Sequence, residues 1–482
     1  MRRGLLLLAG LAACTVGPDY HRPPAPVPVA FKEIAGWKPA MPAETQPKGP
    51  WWAVFHDPVL DGLEQQVAVT NQTVRQAVAA YAEARALVAE AQAALFPTLG
   101  IAPSVTRNSE NSGFGVTGAH TGIGKAFTDY QLLGSAGWDP DIWGRIRRQV
   151  EAQQAGAEVS AADLVNATLS AQAALATAYV DLRAQDQLTV LLQQTIVAYA
   201  KALQITRNEH DAGTVSRGDV VTAESLLKGV QAQLVGVGVA RAEYEHAIAV
   251  LIGQPPAALS IAPAPLAAAV PVMPPGLPSA LLERRPDIAA AERAMAEANA
   301  EIGVAVAAYY PDITLSAAFG YAGNPLSSLI QAANQLWSVG AAANEPLLEG
   351  GLRLATVAAA RAGYDQTVAA YRQTVLTAFQ QVEDNVAALR ILEQQAAAED
   401  AAVQATQDAV DVALDEYQAG TVIYTTVITE QELLLADQQA ALSIQQSRLL
   451  ASVALIAALG GGWQQADLPP PVPFNPAAVL EP

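Results

Sequence analysis

The 482-residue chain reads as a mainly α-helical protein with transmembrane β-strands, built as an internal duplication. Three observations predict this class. Residues 212–253 and 419–460 repeat one another at an offset of 207 residues, from Ala212 to Ala419. Glu209/Glu416, Thr222/Thr429, Leu226/Leu433, Gln231/Gln438 and Arg241/Arg448 keep that register, so two copies of a long unit share one chain. Apolar residues recur every seventh position over stretches far longer than an ordinary globular helix. Four shorter runs alternate small or polar residues with bulky ones, the pattern of a strand with two different faces.

The N-terminus comes first in the chain and sets the compartment. Arg2 and Arg3 precede an apolar stretch, Leu5 to Ala13, too short to span a bilayer, and together they read as a secretory signal over residues 1–13. It ends Leu11-Ala12-Ala13-Cys14, which resembles the lipobox of bacterial lipoproteins, whose cysteine becomes the lipidated first residue; an ordinary signal peptide with an incidental cysteine is the alternative. Cys14 is the sole cysteine, so no disulfide can form within the chain. A single lipid-bearing group holds a protein only reversibly unless a second membrane contact exists.

Composition narrows the partners. The chain is 51% hydrophobic and 15% charged, with a formal net charge of −19 that becomes −21 once Arg2 and Arg3 are removed. Nucleic acid is not an expected partner, since phosphate binding needs a basic face. After the signal no uninterrupted apolar run is long enough for a transmembrane helix, and Leu449 to Leu459 reads as a buried helix end.

The heptads define long helices. Val368, Val375, Val382, Leu389, Ala396, Val403 and Val410 form one series, Ile428, Leu435, Leu442, Leu449 and Ile456 a second, and Leu175, Leu182, Thr189, Ile196 and Leu203 a third. A sustained repeat of seven keeps one stripe on a partner only when helices supercoil left-handedly. The helix from about Gly144 to Asp211 would be roughly 100 Å long at about 1.5 Å per residue. Periodicity alone leaves a soluble coiled-coil bundle open.

The strands discriminate. Ile313, Leu315, Ala317, Phe319 and Tyr321 alternate with Thr314, Ser316, Ala318 and Gly320, while Leu99, Ile101, Pro103 and Val105 alternate with Gly100, Ala102, Ser104 and Thr106. Tyr130 to Trp138 and Trp337 to Ala343 are weaker runs of the same kind. Each is about 9 residues, enough for a tilted strand to cross an outer membrane, and Tyr130, Trp138, Phe319, Tyr321 and Trp337 fit interfacial girdles. Prolines mark the joints. Pro97 and Pro311 each stop a helix before a strand, and Pro140 and Pro346 each follow a strand before a long helix. Each half thus reads helix, helix, strand, loop, strand, long helix, helix. Four strands cannot close a barrel, and an open sheet in lipid leaves backbone groups unpaired. Copies of the chain must therefore pool their strands. Two would give eight strands and three would give twelve; the twelve-stranded case leaves more room for a lumen.

At this point the chain resembles the TolC-type outer-membrane factors, in the NodT-like efflux lipoprotein branch. The resemblance rests on Cys14-Thr15-Val16-Gly17-Pro18-Asp19-Tyr20-His21-Arg22-Pro23, Trp138-Asp139-Pro140-Asp141-Ile142-Trp143-Gly144-Arg145, Arg284-Arg285-Pro286-Asp287-Ile288-Ala289-Ala290-Ala291-Glu292 and the Tyr417-Gln418-Ala419-Gly420 turn. It covers essentially the whole mature chain. It implies a homotrimer: a twelve-stranded barrel in the outer membrane above a twelve-helix periplasmic tunnel. The duct would be passive, docked to a periplasmic adaptor and an inner-membrane efflux pump that supplies the energy for exporting small toxic compounds. A type I secretion duct for proteins or peptides is the alternative within the fold, and a coiled-coil lipoprotein without a pore is the alternative outside it.

The resemblance also suggests an aperture. In the family the helix after the Tyr-x-x-Gly turn often carries aspartates that ring the closed mouth; those positions hold Thr426 and Thr429 here. The nearest carboxylates in this copy are Glu430 and Glu432, and the first copy places Asp219 at the repeat position of Thr426; Asp219 and Glu430 are the ones expected to act. Asp219, Thr222, Thr426, Thr429 and Glu430 are therefore the expected aperture lining, with the carboxylates as electrostatic groups and the threonines as the constriction. Gly213, Tyr417 and Gly420 form the helix-turn motif, where Tyr417 and Tyr424 are expected to pack the turn and not to touch cargo.

Other chemistries find no support. Gly113-Phe114-Gly115-Val116-Thr117-Gly118 matches a dinucleotide fingerprint but follows no strand and opens no helix. The five histidines are scattered without metal-ligand spacing, and no Gly-x-Ser-x-Gly elbow occurs. Neither enzyme activity, cofactor nor metal is expected. The expected organisation is a signal (1–13), an anchored Pro-rich tether (14–57), a first repeat (58–258, hairpin 98–139), a Pro-rich collar linker (259–278), a second repeat (279–462, hairpin 312–345) and a collar tail (463–482).

Overall fold

A computed structural model describes residues 15–28, 30–34, 50–109, 126–271, 284–463 and 468–473. Cys14, the signal and the glycine-rich 113–118 segment lie outside them. The order is α1 (Pro58–Thr70), α2 (Gln72–Ala93), β1 (Thr98–Ser109), β2 (Ala126–Trp138), α3 (Arg145–Asp211) and α4 (Arg217–Leu251) in the first half. The second half holds α5 (Pro286–Ala307), β3 (Asp312–Gly323), β4 (Gln335–Asn344), α6 (Leu352–Gln418) and α7 (Tyr424–Ala458). The expected counterpart of α1 would fall on residues 272–284, nearly all outside the described residues.

The duplication is metrically faithful in the helices. Both long helices, α3 and α6, have 67 residues, and both return helices, α4 and α7, have 35. At about 1.5 Å per residue the long pair extends about 100 Å. The heptad residues are the buried ones: Leu175, Leu182, Val375, Val382 and Leu449 are fully enclosed, while Thr189, Ile196 and Leu442 toward the tips are half-buried. By length and composition α7 could cross a membrane, yet Leu449, Leu455 and Ile456 near its end are already buried inside the bundle. Pro58 and Pro286 each open a helix at a position where the missing N–H is harmless, whereas Pro140 and Pro346, expected at the start of the long helices, stand before α3 and α6, whose N-caps are the left-handed Gly144 and Gly351.

The four strands form one antiparallel sheet in the order β1-β2-β3-β4. They run 10 to 13 residues, longer than the 9 or so expected, because pairing continues into the polar hairpin ends. The register sorts the side chains. Leu99, Ala136, Ala317 and Val339 fall on one face in line with Ile101, Gly134, Phe319 and Trp337. Thr98, Gly137, Ser316 and Gly340 fall on the other with Gly100, Ser135, Ala318 and Ser338. One face is bulky and apolar; the other is small and polar. The apolar face is open to the surroundings, with Leu99 82%, Ile101 78%, Trp337 71% and Val339 77% exposed. The aromatic residues lie at two levels: Tyr130, Tyr321 and Trp337 toward the hairpin tips, Trp138, Trp143 and Tyr310 at the helical end.

Two segments tie the halves together. Thr15 to Pro28 lies as an extended strap: Tyr20 donates to Glu292 Oε1 (2.7 Å) on α5, and Arg22 donates to the Tyr371 hydroxyl (3.0 Å) on α6. Phe31 then packs edge-on against Phe379, and Glu33 pairs with Arg390 at 2.6 Å. In the linker after α4, Arg183 donates to Ala262 O (2.7 Å) and Arg241 to Ile261 O (2.6 Å), while Gln445 of α7 donates to the carbonyls of Ala267 and Ala268. Asp186 joins the two arginines, accepting from Arg183 at 3.0 Å and from Arg241 at 2.7 Å.

Candidate functional site

The two helical turns farthest from the sheet are where the candidate residues gather. α3 ends because Gly213 adopts φ +79°, a left-handed conformation that other residues reach only with strain. Its N–H donates to His210 O (2.9 Å) and that of Thr214 to Glu209 O (2.9 Å), which satisfies the last carbonyls of the helix. α6 ends identically: Gly420 has φ +75°, with Gly420 N–H to Tyr417 O (2.9 Å) and Thr421 N–H to Glu416 O (3.0 Å). Gly213 and Gly420 therefore end the two long helices.

The next helices start differently. Ser216 caps α4 in a reciprocal box with Asp219: Asp219 Oδ2 accepts from the Ser216 N–H (3.0 Å) and hydroxyl (2.8 Å), and Ser216 Oγ accepts from the Asp219 N–H (3.3 Å). In the second copy the cap position is Ile423 and makes no side-chain cap. Tyr424 instead buries its ring against that of Tyr417, edge to face at 4.8 Å. The tyrosines pack the turn, as expected from the sequence.

Tyr417 also does something the sequence did not suggest. Its hydroxyl donates to Glu209 Oε1, joining the end of α6 to the end of α3 across the two repeats. Burial and the Glu209 carboxylate both push the Tyr417 hydroxyl above its ordinary pKa, so it remains a donor at physiological pH. Behind this contact Tyr199, Leu203, Tyr424, Val427 and Ile428 form a shared tip core. Burial moves Tyr199 up to about 12, with Glu432 adding to the shift. Glu209 was visible in the sequence only as a repeat-conserving position; the contact needs two helix ends that lie about 200 residues apart in the chain to meet.

The aperture candidates share this end of the molecule. Asp219 and Thr426 are half-buried, Thr222 and Thr429 are exposed, and Glu430 is half-buried. The Thr429 hydroxyl is turned onto its own helix, donating to Thr425 O at 3.0 Å. Among the described residues no group of three or more His, Cys, Asp or Glu side chains could hold a metal ion. A separate cavity of about 370 Å³ lies at the other end, between the strand-to-helix joints, lined by Trp143, Tyr310 and Arg353 among others.

Known proteins place this architecture. A family model described as outer membrane efflux protein matches residues 63–254 and 277–461, one segment in each repeat. The chain is 31% identical over 472 residues to the toluene efflux pump outer membrane protein TtgC of Pseudomonas putida, covering 96% of this chain and 97% of that protein. It is 28% identical to the outer membrane protein OprJ of Pseudomonas aeruginosa, covering 96% and 95%. Among solved structures, the outer-membrane channel OprN superposes with a TM-score of 0.87 at 30% identity, over 94% of this chain and 100% of that one. The open state of the Neisseria gonorrhoeae MtrE channel superposes with a TM-score of 0.81 at 26% identity, over 94% and 99%. Duplicated 67-residue helices, a four-stranded sheet with an uncovered apolar face and a match in both halves lead to one assignment: the chain belongs to the outer membrane efflux protein family.

Proposed function

We propose that the protein is the outer-membrane exit duct of a tripartite efflux system, formed by three copies of the chain and driven by an inner-membrane pump through a periplasmic adaptor. The carrying observation is the sheet. Among the described residues β1 and β4 each pair on one side only, and the apolar face is open. Backbone groups at such edges are tolerated in lipid only if the sheet closes on itself. Because β1 and β4 run in opposite directions, a second copy continues the antiparallel order, and three copies supply twelve strands. The small, polar face then lines a lumen, and the apolar face meets lipid. Efflux of small toxic compounds is the reading supported by the relatives, a toluene efflux pump outer membrane protein among them.

Purified protein should migrate as a heat-modifiable trimer and conduct ions in a planar bilayer; a chain that stays monomeric in detergent and never conducts removes the duct. In this reading Thr426 and Thr429 form the constriction, with Thr222 beside it, and Asp219 and Glu430 line it with negative charge. Three copies of a carboxylate around a narrow axis attract cations. Asp219→Asn with Glu430→Gln should reduce cation preference, and asparagine keeps an acceptor for the Ser216 cap. Selectivity measured by reversal potential is the check, and an unchanged potential takes both residues out of the lumen. Tyr417→Phe, which deletes the donor to Glu209, should raise the conductance of the closed channel severalfold; unaltered conductance would mean that this contact does not hold the mouth.

The lipid anchor is part of the same reading. Thr15, next to Cys14, lies against Gly144, the residue before α3, where a Cβ would come within 3.0 Å of Thr15 Cα. The Val16 N–H donates to Trp143 O (3.1 Å), and Arg148 donates to the carbonyls of Val16 (3.2 Å) and Gly17 (3.3 Å). Gly17 passes so close to α5 that a Cβ there would lie 2.5 Å from Gly303 Cα. Thr15 is thus held at the level where the strands end, and membrane strands together with an acyl chain on Cys14 would give the two membrane contacts that stable anchoring needs. Labelled palmitate should enter the wild type and be absent from Cys14→Ser; retained label would place the lipid elsewhere.

A further inference from the structure

We propose that the cavity of about 370 Å³ between the strand-to-helix joints seats the headgroup of a phospholipid carrying phosphoethanolamine, with Arg145 on its phosphate and Glu349 on its ammonium. The inference rests on the reading above that the sheet lies in a membrane, and adds one lipid site per chain to it.

The walls fix where the cavity opens. Trp143 and Arg145 come from the start of α3, Tyr310 and Ile313 from the start of β3, and Glu349 and Arg353 from the start of α6. Ile313 belongs to the apolar face of the sheet, in the alternation that continues through Leu315, Ala317 and Phe319. Arg353 precedes Tyr371 by five turns of α6 at about 3.6 residues each, so it stands on the side that the strap covers. The Val16 N–H of that strap donates to Trp143 O (3.1 Å). The cavity thus opens on the outer side of the helices, at the foot of the apolar face. In a membrane-spanning sheet this is the level of the lipid headgroups, where tryptophan and tyrosine gather.

Some lining groups are committed and others are not. Trp143 is fixed by its Nε1, which donates to Pro311 O (2.9 Å), and by its ring, stacked on Tyr310 at 4.8 Å. Asp141 accepts from the N–H groups of Ile146 (2.8 Å) and Arg147 (3.0 Å) at the start of α3. Arg353 donates to Glu345 and to Glu349 Oε2 (2.5 Å). Arg145, by contrast, is engaged only through Nη2, to Asp139 at 3.0 Å, and its side chain is 51% exposed. Glu349 Oε1 and the Tyr310 hydroxyl have no hydrogen-bond partner among the described residues. A bare guanidinium edge and hydroxyl facing a bare carboxylate oxygen complement a phosphate joined to an ammonium by two carbons. The aromatic wall adds attraction for the ammonium. A glycerol headgroup lacks that cation, and its net negative charge would enter a cavity whose carboxylates outnumber its guanidinium groups. From this seat the acyl chains run over Ile313 and Leu315 onto the apolar face.

Native mass spectrometry of the full-length oligomer, delipidated in detergent and titrated with phosphatidylethanolamine or with phosphatidylglycerol of the same chains, tests this. Wild type should bind one phosphatidylethanolamine per chain, roughly tenfold more tightly than phosphatidylglycerol. Glu349→Gln, which can still accept from Arg353, should remove that preference, and Arg145→Gln should weaken both lipids roughly tenfold. Equal binding of the two lipids by wild type, or an unchanged preference in Glu349→Gln, overturns the proposal. Glycerophosphoethanolamine, the headgroup without its chains, should compete at least about tenfold more weakly than the lipid. Equal competition would make the cavity a site for a soluble phosphodiester and also overturns it. An oligomer that conducts but binds no such lipid sinks the site alone, whereas a chain that never forms a channel sinks the duct reading.

Discussion

Glu64→Gln should leave the protein about as stable as wild type near pH 4.5 and make it more stable by about 2–3 kcal/mol near pH 8. Glu64 lies on the face of α1 that also buries Leu60, Leu63 and Val67, and it is wholly enclosed. Among the described residues neither of its carboxyl oxygens has a hydrogen-bond partner. Burial alone raises its pKa from 4.5 to about 9. The unfolded chain therefore loses this proton at lower pH than the folded one. Folding takes up a proton between those two values, so stability falls as pH rises from about 4.5 toward about 9 and is level outside that window. Glutamine cannot ionise, and its own unsatisfied amide costs the same at every pH, so the difference between the two pH values isolates the carboxyl. Urea unfolding of the detergent-solubilised protein at both values is the measurement. An equal effect at the two pH values would show that Glu64 has a partner or reaches water.

Asp186→Ala should act in the opposite direction and by more, about 3–5 kcal/mol of destabilisation. Asp186 is 4% exposed and accepts from Arg183, Arg241 and the Ala264 N–H (3.1 Å). Its removal leaves the buried Arg183 guanidinium with Tyr179 and the Ala262 carbonyl but no counter-charge. It also releases the linker at Ala264. Limited proteolysis should then cut near residues 261–264 in the variant and spare them in wild type. Asp186→Asn should recover part of the loss, because it can still accept. A variant with wild-type unfolding and an uncut linker would mean the network is not what holds the segment after α4.

The elements legible in the sequence were those set by local periodicity. A repeat of seven fixed α3, α6 and α7, and the heptad stripe is the buried stripe because only a regular apolar row can follow a supercoiled partner. Proline placed the strand ends to within two residues, with Pro97 and Pro311 just before β1 and β3 and Pro140 and Pro346 just after β2 and β4, whereas α3 and α6 start later, behind Gly144 and Gly351. Alternation assigned the two faces of all four strands, and the register confirms that Leu99, Ala136, Ala317 and Val339 share one of them. Strand length was underestimated because polar hairpin ends keep pairing after alternation stops.

The site was legible in part. Gly213 and Gly420 were readable because a left-handed turn restricts which residue can stand there. Asp219 is readable as an acidic position, and its capping role is carried by Ser216 three residues before it. Glu209 as the partner of Tyr417 was beyond reach, since hydrogen bonds between helix ends depend on how two supercoiled pairs lean together. The strap was legible only as a Pro-rich tether.

By itself the sequence determined a duplicated chain, the lengths of its helices, the sidedness of its strands and the need for further copies, because each follows from local spacing or from an unpairable sheet edge. Tertiary structure alone decided that Tyr417 reaches Glu209, that Glu64 has no hydrogen-bond partner among the described residues and that the N-terminal strap brings Thr15 to the base of the strands. Those are distances between segments far apart in the chain. Residue spacing carries no record of them until packing has brought the segments together.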